Sequence, residues 1–182
     1  MALKSTIFKV QLDIADTDRH YYQSHKLTVA QHPSETDQRL MVRLLAFAIN
    51  ANDQLNFNQE LCSNDDEAEL WQVELNGQIK HWIAFGQPEE KQLKKACRMA
   101  ERVTLYCYGG NAVTPWWQQI ANKLNSYTNL AVFEFAEQQM IELSQLVNKN
   151  MQLQITIDSG EIWISSDIGS VHITPNTLQE NG

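Results

Sequence analysis

Residues 69–107, ELWQVELNGQIKHWIAFGQPEEKQLKKACRMAERVTLYC, decide the fold. Two alternating runs, ELWQVEL and QIKHWIAFG, flank Asn76-Gly77, so this part reads as a β-hairpin with a tight turn. Pro88-Glu89-Glu90 then opens a helix with Pro at its start and acids in its first turn. Its apolar stripe is Leu93, Ala96, Cys97 and Ala100, and it runs to about Glu101. VTLYCY follows as a strand. A strand, a helix and a second strand in succession imply parallel neighbours, whereas the hairpin is antiparallel. Downstream the alternation continues, with GGNAV as a loop and Thr114-Pro115 as N-cap and first residue of a helix to Leu124. Strand NLAVFEF and helix AEQQMIELSQLV come next.

The flanks read differently. In STIFKVQLDI, residues 5–14, Ile7, Lys9, Gln11 and Asp13 lie on one face and Phe8, Val10, Leu12 and Ile14 on the other, the pattern of a half-buried strand. HYYQSHKLTVAQ is its hairpin partner. Ser34-Glu35-Thr36-Asp37 has capping-box spacing before the apolar helical repeat Leu40, Met41, Leu44, Leu45, Phe47 and Ala48. At the far end MQLQITI, EIWIS and GSVHIT form an antiparallel meander turning at Asp158-Ser159-Gly160. The fold class is α/β to α+β: a mixed β-sheet flanked by helices. One domain over 1–182 is expected, with a core over about 33–135, an N-terminal hairpin at 5–31 and C-terminal antiparallel strands at 149–174.

With 182 residues and 43% hydrophobic content, the chain can bury a real core. Its formal charge of −8 opposes simple sequestration of a nucleic acid, but not metal-assisted cleavage of a phosphodiester. The start MALKSTIFKV lacks a signal-peptide core, and no apolar run spans a bilayer, so a cytoplasmic protein without a membrane partner is expected. Cys62, Cys97 and Cys107 lack metal or redox spacing and read as reduced thiols. The five histidines form no zinc pattern. His81, on a largely apolar strand face, reads as a partnered core residue rather than a ligand.

Chemistry concentrates in carboxylates. Asp65, Asp66, Glu67 and Glu69 precede a strand, and Glu35 and Asp37 open the first helix. A divalent ion needs two or more carboxylates converging from different elements. The bland alternative is a solvated loop and a capped helix. Tyr108, Trp116 and Trp117 offer a further reading as stacking groups for a nucleic acid, although no basic patch accompanies them.

The blocks MALKSTIFK, AQHPSETDQRLMVRLLAFA, LCSNDDEAELW, WIAFGQPEEKQLKKAC, WWQQ and ITIDSGEIWIS together resemble the bacterial YaeQ family over nearly the whole chain. That resemblance implies a core like the PD-(D/E)XK nucleases with added strands, and no established biological role. Carried over by residue, the first acid falls on Glu69. The (D/E)-x-K triplet falls on Ala84-Phe85-Gly86, so both its acid and its lysine are missing. A Mg²⁺ site would then use Glu69 with Glu35 or Asp66. A substitute lysine from the following helix would be Lys94, about 110° from the centre of the apolar stripe, whereas Lys95 points further away. The expected function is therefore a non-catalytic or degenerate protein that binds a partner, protein or nucleic acid. The alternative is a Mg²⁺-dependent nuclease with Glu69 and Lys94 as catalytic groups.

Overall fold

The computed structural model describes residues 4–58 and 67–182. In chain order the elements begin with β1 (Thr6–Asp16), β2 (Tyr21–Gln31), α1 (Asp37–Asn50), β3 (Leu55–Phe57), β4 (Leu70–Val73), β5 (Ile79–Phe85), α2 (Glu90–Met99) and β6 (Ala100–Cys107). They continue with α3 (Val113–Leu124), β7 (Leu130–Glu134), α4 (Glu137–Ser144), β8 (Asn150–Asp158), β9 (Glu161–Ser165), β10 (Ser170–Ile173) and β11 (Asn176–Gln179). The class is mixed α+β, with two mixed sheets instead of the one expected. Two compact units result: residues 1–49 with 138–174, and residues 50–137 with 175–182. No helix among the described residues is long and apolar enough to cross a membrane.

The first unit holds the sheet β10-β9-β8-β1-β2. The hairpin β1–β2 pairs without interruption from Thr6↔Gln31 to Asp16↔Tyr21. The other neighbour of β1 is β8, and that pairing is parallel, which sets the first strand beside one about 140 residues later. Phe8, Val10, Leu12 and Ile14 are buried, as the alternation of residues 5–14 allows, and they share one inner face with Met151, Leu153, Ile155 and Ile157. The outer face carries the polar partners. In the β8–β9 turn Ser159 and Gly160 both have positive φ, 53° and 76°, the mirror-image turn that suits strand twist. Asp18 secures it by accepting the N–H groups of Ser159 and Gly160 at 2.7 and 2.9 Å. Asp18→Ala is expected to lower stability by about 1 kcal/mol in urea denaturation, because the carboxylate is exposed.

Helix α1 is buried through Leu40–Ala48, nine consecutive residues including Arg43. Its cap differs from the expected Ser34 box. Thr36 Oγ1 accepts the Arg39 N–H at 3.2 Å, while Ser34 bonds the His32 ring. The helix begins at Asp37, so Thr36 is the residue whose hydroxyl reaches the N3 amide.

The second unit holds the sheet β11-β7-β6-β5-β4-β3. Strands β5, β6 and β7 are parallel, as the strand–helix alternation implies, and β4–β5 is the expected antiparallel hairpin. The turn is longer than an Asn-Gly pair. Glu74 N–H donates to Gln78 O, Gly77 N–H donates to Glu74 O, and only Gly77 has positive φ, 86°. This is a three-residue loop closed by a glycine bulge, and the register shifts after Gln72 to absorb it. Helix α3 also starts earlier than Thr114-Pro115 suggests. A 3₁₀ turn over Gly110–Ala112 feeds it, leaving Pro115 in the first turn, where no intrahelical N–H is needed. Helices α2 and α3 cover one face of this sheet. Leu93, Ala96, Cys97, Ile120 and Leu124 meet Trp82, Val103, Leu105 and Val132 there. Strand β11, absent from the sequence reading, caps the sheet beside β7 with a register shift.

Candidate functional site

Each candidate carboxylate and lysine has its own local environment. Glu35 lies just before α1, and Arg43 lies two helical turns further along. Arg43 Nε and Nη2 donate to the two Glu35 oxygens at 2.7 and 2.8 Å, a fork-on-carboxylate pair. The side chains are 7% and 6% exposed, and Nη2 also donates to Ala30 O at 2.9 Å. Glu35 is thus committed to folding. Both carboxylate oxygens are used, and a cation at that site would compete with a buried guanidinium. The sequence reading missed Arg43 as its partner. The signal was present, since an arginine within Leu40–Leu44 needs a counter-charge when its helix is buried.

Glu69 is exposed immediately before β4, and its carbonyl accepts the Asn58 N–H at 2.9 Å. Glu67 also ties to Asn58, whose amide donates to its carboxylate at 2.7 Å. Asp66 and Cys62 lie outside the described residues. Among the described residues no three His, Cys, Asp or Glu side chains are gathered to hold a metal ion.

Lys94 lies on the flank of α2, as the helical spacing requires, and pairs with Glu90 one turn earlier at 2.5 Å. Lys123 from α3 reaches the same carboxylate at 2.8 Å. Hydrogen bonds from Lys123 and then Lys94 hold the Glu90 carboxyl below the usual carboxylate range. Ala84 faces the α2–α3 side of the sheet. It is half-buried, paired with Leu105 in β6 and packed on the apolar cluster. The position that the resemblance assigns to a metal-binding acid therefore has apolar surroundings.

His81 is buried, as expected of a core residue. Its Nε2 lies 2.8 Å from Thr104 Oγ1, and Arg102 Nη2 donates to Nδ1 at 2.9 Å. Arginine has no acceptor, so the proton of the neutral ring sits on Nε2 and is donated to Thr104. Burial, then the Arg102 charge, push the His81 pKa down to about 3. Cys97 and Cys107 are buried free thiols. Burial pushes Cys97 up to about 11, and burial with the Glu134 charge raises Cys107 as well, so neither is a nucleophile at neutral pH. Trp116 donates Nε1–H to Pro88 O at 3.1 Å and packs on Trp117. Both indoles are half-buried on the α2–α3 cluster, which limits their use as base-stacking platforms.

A family model described as YaeQ protein matches residues 1–175. The chain belongs to the YaeQ family. Its relatives include the protein named Uncharacterized protein YaeQ of Escherichia coli (strain K12), 39% identical over 180 residues and 99% of both chains. The protein of the same name from Salmonella typhi matches at the same identity and coverage. The crystal structure of YaeQ protein from Xanthomonas axonopodis pv. citri is similar, with TM-score 0.93 and 44% identity over 97% of this chain and 99% of that one. That of YaeQ protein from Pseudomonas syringae gives 0.90 and 33% identity over 98% of each. The curated YaeQ relatives are named as uncharacterised, so membership carries no activity with it. The span matched by the YaeQ model contains every candidate above: Glu35, Asp66, Glu69, Ala84 and Lys94.

Proposed function

We propose that this chain is a non-catalytic YaeQ protein that binds a macromolecular partner. In this reading one domain over 1–182 carries a nuclease-like core at about 33–135, with the hairpin 5–31 and the strands 149–174 as additions, and works in the cytoplasm. Ala84 carries the proposal. In this reading position 84 is where a nuclease-like site would need its second strand carboxylate, and the methyl group there is packed on apolar neighbours. The commitment of Glu35 to Arg43 and of Lys94 to Glu90 supports it further. The alternative is a Mg²⁺-dependent nuclease drawing on Glu69, Glu35 or Asp66 for metal and Lys94 for charge stabilisation.

Plasmid nicking in Mg²⁺ and Mn²⁺ separates the two. The expected result is no nicking by the native chain and no saturable metal binding in calorimetry up to about 10 mM. Nicking that Glu69→Gln abolishes sinks the proposal. Ala84→Glu is expected to leave the chain inactive, because Glu35 stays paired with Arg43.

A further inference from the structure

Among the described residues β2 is an edge of its sheet with no further strand beside it, and its backbone polarity follows from the neighbouring ladder. Lys9 N–H donates to Lys149 O and Thr17 N–H to Ile157 O, both at 2.9 Å, so odd-numbered residues of β1 direct their amides toward the β8 side. The pairs Ala15↔Tyr22, Asp13↔Ser24, Gln11↔Lys26 and Lys9↔Thr28 are therefore the non-hydrogen-bonded ones of the hairpin. Tyr22, Ser24, Lys26 and Thr28 accordingly direct both N–H and C=O away from the sheet. All four residues are exposed. The next residue in the series agrees, since Ala30 O is turned outward and taken by Arg43. The open edge covers about 20 Å at about 3.4 Å per residue.

Edges are usually guarded by shortness, proline, a bulge or several charges. The other sheet edges follow this rule, with four residues in β10, three in β3 and four in β11 beside a register shift. Strand β2 has eleven residues, no proline, no register shift and one formal charge, Lys26.

We propose that β2 pairs antiparallel with β2 of a second copy of this chain, about a two-fold axis at His25. In that register Tyr22 faces the second copy's Thr28, and Ser24 faces its Lys26. Each of these four outward pairs exchanges two hydrogen bonds, so all four N–H and all four C=O groups of both edges are used. Charge selects the same register. Ser24 donates its hydroxyl to the Asp13 carboxylate at 2.5 Å, so the incoming Lys26 extends over Ser24 toward Asp13 on the outer face. Centring the axis on Lys26 instead would set lysine against lysine and place Tyr22 opposite Ala30, whose carbonyl Arg43 already holds. The product is one continuous sheet through both copies. This surface is independent of the metal and partner questions above.

Sedimentation equilibrium of the full chain from about 1 to 100 μM tests it. A dimer is expected. Lys26→Pro removes an outward N–H without breaking a bond of the hairpin, and Lys26→Glu turns the facing of Asp13 from attraction to repulsion. Each is expected to weaken association at least about tenfold. If the proline variant fails to fold, Lys26→Glu alone decides. A chain that stays monomeric at about 100 μM, leaving the edge for a foreign strand, overturns the proposal. So does a dimer unmoved by every folded variant.

Discussion

Glu35→Ala is expected to destabilise the chain by about 3–5 kcal/mol, the range for removing one partner of a buried ion pair. The carboxylate takes two hydrogen bonds from Arg43, and both side chains are almost fully covered. Without it, Arg43 keeps its bond to Ala30 O but remains a cation inside a helix that is buried on both sides in sequence, at Leu40–Val42 and Leu44–Ala48. Glu35→Gln preserves shape and removes charge, so it should show most of the loss. Changing both residues together, Glu35→Met with Arg43→Met, should cost much less than either alanine change, because no charge is left unpaired. Urea denaturation midpoints with a constant slope measure all of these. A loss below about 1 kcal/mol for Glu35→Ala would show a carboxylate not needed for folding, and would return it to the list of metal ligands.

The fold was legible where one local rule acts alone. Period-two alternation in residues 5–14 separated the buried face from the outer one, and helical spacing placed Leu93, Ala96 and Cys97 on the buried side of α2, while Ala100, read as the end of that stripe, begins β6. What sequence reading could not see is which strands pair at long range. Nothing local in STIFKVQLDI says that its second neighbour is MQLQITI, about 140 residues away, or that a parallel ladder joins them. That pairing turns one expected sheet into two. Strand β11 was missed for the same reason. NTLQ has weak strand character, and its place beside β7 comes from the sheet edge it covers. Turn errors had a different source. Asn76-Gly77 fits a two-residue turn, but the ladder needs a bulge there, and the glycine alone takes the left-handed conformation.

The candidate site was legible in its chemistry and less so in its commitments. Glu90 and Lys94 pair at the i,i+4 spacing that puts them on one helix flank. The bland reading of Glu35 as a helix-start acid missed Arg43, because capping rules describe backbone amides and not a guanidinium eight residues on. His81 was read as partnered, but the partners sit across the β5–β6 ladder and could not be named from one strand. His81↔Arg102 is a register pair, and Thr104 lies two residues further along the same strand face.

His81 gives the chain an acid-sensitive fold. In the folded chain its pKa is about 3, against an ordinary value of 6.5 when exposed. Above 6.5 the ring is neutral in both states and contributes nothing to pH dependence. As pH falls below 6.5 the unfolded chain binds a proton that the folded chain refuses, so stability declines until the pH reaches about 3. The slope approaches about 1.4 kcal/mol per pH unit, which makes the loss about 2 kcal/mol at pH 5. Carboxylates held low, such as Asp13 and Glu161, add their own losses only near and below their ordinary values of 3.8 and 4.5. The interval from pH 6.5 to 5 therefore isolates histidine. His81→Gln keeps a donor for Thr104 and an acceptor for Arg102 without titrating. It is expected to be less stable at pH 7 through poorer packing, yet to lose about 2 kcal/mol less than the native chain on going to pH 5. Arg102→Met should remove part of the sensitivity, since burial is the larger cause and the guanidinium the smaller. Urea denaturation at pH 7, 6 and 5 reads both effects. Parallel stability curves for the native chain and His81→Gln would mean that the ring is solvated enough to take the proton, and the buried Nε2–Thr104 and Nδ1–Arg102 arrangement would then be wrong.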